Sequence, residues 1–126
     1  MNLDLAEWML LSLALLFVKH YYIDFVNQDE EEVRHKGMYL DWRGVKHSIK
    51  QGLGTVIVFS IMGDSLAGAW VLGFLDFSLH YHIDWLKMNY GNRDVTNPRF
   101  WNHLGLDQLA HYLTYLGLLY LLVGDL

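Results

Sequence analysis

Residues 65–90 read SLAGAWVLGFLDFSLHYHIDWLKMNY. The segment begins as a continuous apolar run and ends in His80, Asp84 and Lys87, with no proline anywhere. Ser65 is a good N-cap, and the tight turn Gly63-Asp64-Ser65 before it marks a helix start. A helix over 65–90 would carry a histidine and an aspartate four residues apart on one face. How that helix is surrounded decides the fold.

Three further apolar stretches accompany Leu66–Leu75: Trp8 to Val18, Leu53 to Gly63 and Tyr112 to Val123. None reaches the ~18 consecutive apolar residues that identify a membrane span by themselves. Each is nevertheless apolar on every side, whereas a surface helix of a soluble bundle keeps a polar outer face. Extended to their start and stop signals, the four stretches predict helices over about 3–28, 43–62, 65–90 and 98–123, the last opening on Pro98. Each would be roughly 30–39 Å long at 1.5 Å per residue, enough to cross a bilayer. Gly54, Ala69, Gly73 and Gly117 are the small residues that close membrane-helix packing uses. The expectation is an all-α, up-down-up-down, four-helix transmembrane bundle forming one domain.

Composition agrees with that class. Of 126 residues, 53% are hydrophobic and 18% charged, so lipid is the expected surrounding. Cysteine is absent, which excludes disulfides and thiolate metal sites. A net charge of −5 excludes the basic face of a nucleic-acid binder. The first apolar run has no early Lys or Arg and no small-residue cleavage site, and reads as a retained helix. All nine Lys and Arg residues fall at one end of the bundle, which holds the loops 29–42 and 91–97. The other end has only Asp4, Glu7, Asp64 and Asp125. The positive-inside rule then puts the basic end in the cytoplasm and both termini outside. Trp8, Trp70, Trp85 and Trp101 read as an interfacial belt, and the acidic run Asp29–Glu32 as a solvated loop.

The polar residues inside the predicted helices are not scattered. Counted from the outer helix ends, His20 and His80 lie ~22 Å deep, His111 ~20 Å, His47 ~24 Å, Asp107 ~25 Å, and Asp24 and Asp84 ~28 Å. Four helices running in alternate directions thus place His and Asp in one layer near the cytoplasmic end. His20/Asp24, His80/Asp84 and Asp107/His111 are i, i+4 pairs, and Asp76 and His103 lengthen two of those stripes. Ionisable groups at such depth must face the bundle interior and find partners. Imidazoles with carboxylates ligate zinc, manganese or iron, so His20, Asp24, His47, His80, Asp84, Asp107 and His111 form the candidate ligand set for one or two divalent ions, zinc first. Gln28, Gln51 and Gln108 are expected to hydrogen-bond the ligands. His82 points away from His80, and His35 lies in the acidic loop, so both fall outside the set.

HYYIDFVNQ (20–28), HYHIDWLK (80–87) and DQLAH (107–111) together resemble the signature of a family of unknown function, made up of small integral-membrane proteins of bacteria and their phages. Its pattern is HxxxDxxxQ, a histidine on the second helix, HxxxDWxK and DQxxH, and the likeness covers nearly the whole chain. His20, Asp24, Gln28, His47, His80, Asp84, Lys87, Asp107, Gln108 and His111 occupy its positions. Where the second helix of that family often carries another histidine, this chain has Gln51. The HxxxD pairs are also similar to those of inner-membrane metal-dependent hydrolases and of the zinc phospholipase C and nuclease superfamily.

The expected function is therefore a metal-dependent membrane hydrolase of phosphoester or lipid-derived substrates, with Asp84 or Asp107 as general base and Lys87 steadying anionic charge. The alternatives are a metal or proton transporter, and a non-catalytic interaction protein, such as a phage factor on a host membrane, with a structural metal.

Overall fold

The computed structural model describes residues 2–124, so Asp125 lies outside the described residues. Helix α1, Leu5–Tyr21, starts on a capping box in which Asp4 Oδ1 accepts from Glu7 N (2.8 Å) and Glu7 Oε2 from Asp4 N (3.1 Å). A π-helical turn, Tyr22–Val26, extends it. A short helix α2 follows, Glu30–His35, then α3, Trp42–Ile61, α4, Leu66–Tyr90, and α5, Pro98–Val123. Asp29, Asp41, Ser65 and Asn97 cap α2 to α5, each accepting a backbone N–H with its side chain. Gly63, with φ +92°, makes the reversal between α3 and α4 that a side chain would strain. The protein is all-helical, and the four long helices lie within two residues of the predicted bounds except at the end of the first.

That end is the first correction. The α-helical part of α1 stops at Tyr21, because Asn27 N reaches back to Tyr22 O (2.7 Å), five residues earlier, and widens the turn that carries Asp24. The second concerns the acidic run. It forms α2 instead of a solvated loop, and Glu32 is buried, held by Lys50 at 2.9 Å. The 36–41 segment is tied to α4, with Asn89 donating to Gly37 O (3.0 Å) and Leu40 N donating to Tyr81 Oη (2.6 Å). Two lysines counted with the basic rim, Lys19 and Lys36, also turn inward and are buried.

The interior is divided lengthwise. Toward the chain termini it is apolar, built from Leu16, Val56, Phe59, Leu72, Tyr115 and Leu118 with their neighbours. Here α3 and α4 approach backbone to backbone: a Cβ on Gly73 would stand 2.7 Å from Gly52 O and 2.5 Å from Val56 Cγ2. Ala69 is fully buried, and Gly54 leaves room for the Lys19 stem, whose Cγ and Cδ a Cβ would meet at 2.6 Å. Gly117, expected at a helix contact, has nothing within 4 Å. Toward the other end, the interior is polar.

The outer surface is the reverse of a soluble bundle. Leu10, Val18, Ile61, Val71, Phe74 and Leu113 are each more than half exposed, and they come from every long helix. One helix of the described residues, Leu5–Val26, is long and apolar enough to cross a membrane. Among the described residues, α3, α4 and α5 do not meet that test, so the four-span expectation is met by one helix.

Candidate metal centre

The i, i+4 spacing brings His and Asp to the inner faces of α1, α4 and α5, and the crossing of α3 adds His47. His20, His47, His80 and His111 are at most 1% exposed, and Asp24, Asp84 and Asp107 at most 7%. The seven groups meet at ligand distances. His47 Nε2 lies 3.3 Å from His80 Nε2, 3.0 Å from Asp24 Oδ1 and 3.6 Å from Asp84 Oδ2. His80 Nε2 lies 3.4 Å from both of those oxygens. On the other side, His20 Nε2 is 3.5 Å from Asp24 Oδ2, and His111 Nε2 is 3.4 Å from Asp84 Oδ1 and 3.5 Å from Asp107 Oδ1. Ligands at about 2.0–2.1 Å from a tetrahedral ion stand roughly 3.3–3.4 Å apart, close to this spread.

The hydrogen bonding supports the same assignment. Buried polar atoms normally have partners. Asp84 Oδ1, Asp107 Oδ1 and His111 Nε2 have none among the described residues, and all three aim into the layer. Three imidazoles and two carboxylates, those of His20, His80, His111, Asp24 and Asp84, form buried groups that could hold a divalent ion of the zinc, manganese or iron type, and His47 and Asp107 border them.

The glutamines divide. Gln51 donates to Asp24 Oδ1 (2.7 Å), and Gln108 joins His20 Nε2 (3.0 Å) to Asp107 Oδ2 (3.1 Å). Gln28 touches no ligand side chain; it donates to Asp24 O (2.8 Å), a carbonyl at the π-turn. Lys87 pairs with Asp107 Oδ2 at 2.8 Å. His103 stands apart from the layer, its Nδ1 accepting from Asn92 N at 2.7 Å. His82 and His35 bond the carbonyls of Ser78 and Glu31 on exposed faces. Asp76 leaves its stripe and pairs with Lys19 Nζ at 2.7 Å.

Three contributions were missed from the sequence. Lys36 places its ammonium 2.8 Å from Asp84 Oδ2. Burial pulls the Lys36 pKa down, but Asp84 and then Asp24 outweigh it and hold the group above its ordinary value. Glu32 Oε2 stands 3.7 Å from His47 Nδ1, beyond hydrogen-bond distance, and places a carboxylate beside that imidazole. Burial acts to raise its pKa, but Lys50 prevails and keeps it below the usual carboxylate range. Tyr115 Oη meets His20 Nδ1 at 2.9 Å. The capping pattern D-x-x-E at 29–32 was the available signal for α2 and for a fixed Glu32.

One cavity touches the layer at Asp107 and a second lies beside it. The first, of about 280 Å³, is a groove between α4 and α5 lined by Ile83, Leu86, Tyr90, Leu106 and Ala110, with Lys87 and Asp107 at its polar end. The other, of about 310 Å³, is lined by Gln28, Lys36, Lys87, Asn92, Arg93 and His103 among others. They share Lys87 and His103.

No family model, curated protein or solved structure matches this chain.

Proposed function

We propose that the protein is a four-helix inner-membrane enzyme, both termini outside, that uses divalent metal, zinc foremost, to hydrolyse a phosphoester of a membrane amphiphile at the cytoplasmic surface. The observation that carries this reading is the buried layer of unpartnered ligand atoms, adjoined by an apolar groove and a cationic cavity. The all-round apolar exterior supports the membrane placement, and the lysines and arginines around the layer support its side.

A divalent ion bound in the layer would polarise a phosphoryl oxygen and lower the pKa of a bound water. The chain's own groups supply the rest. Asp107 offers Oδ1 as the base, while Lys87 and Gln108 fix Oδ2 and so set its orientation. Water attacks phosphorus, its proton passes to Asp107, the P–O bond to the alcohol breaks, and the departing oxygen takes a proton back. Lys36, Lys87 and Arg93 line the cavity that would take the anionic group, and the groove would take an apolar chain. His20, His47, His80, His111, Asp24 and Asp84 would hold the metal.

Transport fits less well, since beyond the layer and the Lys19–Asp76–Thr55 cluster next to it the interior closes on Leu16, Phe59 and Leu118. A non-catalytic interaction protein with a structural metal draws support from the near-complete burial of the ligands. The separating experiment compares wild type with Asp107→Asn, both metal-loaded, on phosphoester amphiphiles in mixed micelles. A loss of roughly 10²–10⁴-fold at unchanged metal content is expected. If wild type hydrolyses no phosphoester or lipid ester, the interaction protein takes its place.

A further inference from the structure

Asp24 and Asp84 each reach histidines with both carboxylate oxygens, in a layer whose rings adjoin across it, His80 and His111 at 4.1 Å between centres. Asp24 presents Oδ1 to His47 and His80 and Oδ2 to His20. Asp84 presents Oδ2 to His47 and His80 and Oδ1 to His111. Each aspartate thus faces one histidine pair with one oxygen and a histidine of the other pair with the other.

We propose that the layer holds two divalent ions bridged by the carboxylates of Asp24 and Asp84. The inference rests on the metal-centre reading above. The first ion takes His47, His80, Asp24 Oδ1 and Asp84 Oδ2, whose five measured separations run from 3.0 to 3.6 Å. The second takes His20, His111, Asp24 Oδ2 and Asp84 Oδ1, with His20 and His111 ring centres 4.8 Å apart. Two ions sharing carboxylates stand ~3.5–4 Å apart in known two-metal sites. The two helices with an HxxxD pair supply the bridges, and each ion receives two imidazoles.

Two local changes are required. His20 Nε2 is 3.0 Å from Gln108 Oε1, so ligation needs the proton on Nδ1, donated to Tyr115 Oη, and the Gln108 amide moved aside. The second change gives up the 3.1 Å bond from Gln108 to Asp107 Oδ2 and leaves Lys87 to hold that oxygen. Asp24, Asp84 and Asp107 against Lys36 and Lys87 leave the layer at −1 with neutral imidazoles, so one divalent ion takes it to +1 and two take it to +3. The second ion therefore has to bring an anion with it, a hydroxide or the phosphate of a substrate, to offset the buried charge. The bridging carboxylates, and not the net charge, favour the pair.

The test is Mn²⁺ titration of the full chain in detergent, read by bound-metal stoichiometry and by EPR. Wild type should bind two ions per chain and give an exchange-coupled spectrum. His47→Asn and His111→Asn, which disable different ions, should each retain one ion and lose the coupling, with helicity by circular dichroism as the folding control. Saturation of wild type at one ion, or at none, overturns the proposal, as does a pair of ions without magnetic coupling. The wild-type titration alone decides if either variant misfolds. Two coupled ions without hydrolysis of any ester would leave this proposal standing and remove the enzyme.

Discussion

Lys19→Met should destabilise the protein far more than the loss of an ordinary ion pair. Lys19 lies in the apolar α1 and reaches across the bundle, where Nζ donates to Asp76 Oδ2 (2.7 Å), Thr55 Oγ1 (3.1 Å) and Gln51 O (3.2 Å). Asp76 is 1% exposed, and its Oδ1 has no partner among the described residues. With Met in place, a full negative charge would remain buried with only the Thr55 hydroxyl on Oδ2, at 2.5 Å. The lost charged hydrogen bond is worth about 1.5–3 kcal/mol by itself. Stranding the carboxylate raises the expected cost to ~3–5 kcal/mol. The double variant Lys19→Met/Asp76→Leu removes both charges and should return to within ~1–2 kcal/mol of wild type, because a well-packed apolar pair can replace a buried ionic one. Denaturant-induced loss of helical circular dichroism in detergent measures both. A cost below about 1 kcal/mol for Lys19→Met, the value of an exposed pair, would refute the argument that this charge is sealed inside.

Three more outcomes follow from the geometry. Gly73→Ala should cost ~1–3 kcal/mol in the same unfolding assay, since its Cβ would meet Gly52 O at 2.7 Å, whereas Gly117→Ala should be neutral or up to ~1 kcal/mol stabilising in its open position. Glu32→Gln should destabilise at neutral pH. Because the folded Glu32 pKa lies below its ordinary value, the wild-type advantage is full above that ordinary value and closes as the pH falls through the depressed one. Single cysteines are clean topology probes in a cysteine-free chain: Asp64→Cys should react with an impermeant thiol reagent added outside, and Asp94→Cys should not; the reverse pattern would invert the proposed orientation.

What was legible in the sequence was whatever repeats with the helix. The i, i+4 pairs His20/Asp24, His80/Asp84 and Asp107/His111 survive as neighbours because a helix fixes that spacing whatever its surroundings. Counting rise per residue placed His47 at the same level without any motif of its own. What stayed hidden depends on side-chain reach. Lys19 and Lys36 carry long flexible stems, so their charge pattern says which end they occupy and not whether they turn inward. The π-turn at 22–26 has no compositional mark, yet it sets how Asp24 meets His47. Helix α2 hid behind a charge run that looks solvated, although the Asp29/Glu32 capping box was present. Close packing at Gly52 and the openness at Gly117 follow from which faces meet, and the small residues alone do not decide that.

A metal centre and a hydrogen-bonded polar core differ in what the buried His/Asp layer carries after purification. The direct measurement is elemental analysis of the full chain, purified in detergent without chelator, alongside His80→Asn. His80 Nε2 lies within 3.4 Å of His47, Asp24 and Asp84, so its loss should remove the ion that those groups hold. At least one zinc, manganese or iron per chain in wild type, with the content sharply reduced in His80→Asn, is the predicted result. Wild-type protein free of any such ion, folded as helix and unchanged in stability when zinc, manganese or iron is added, would contradict it.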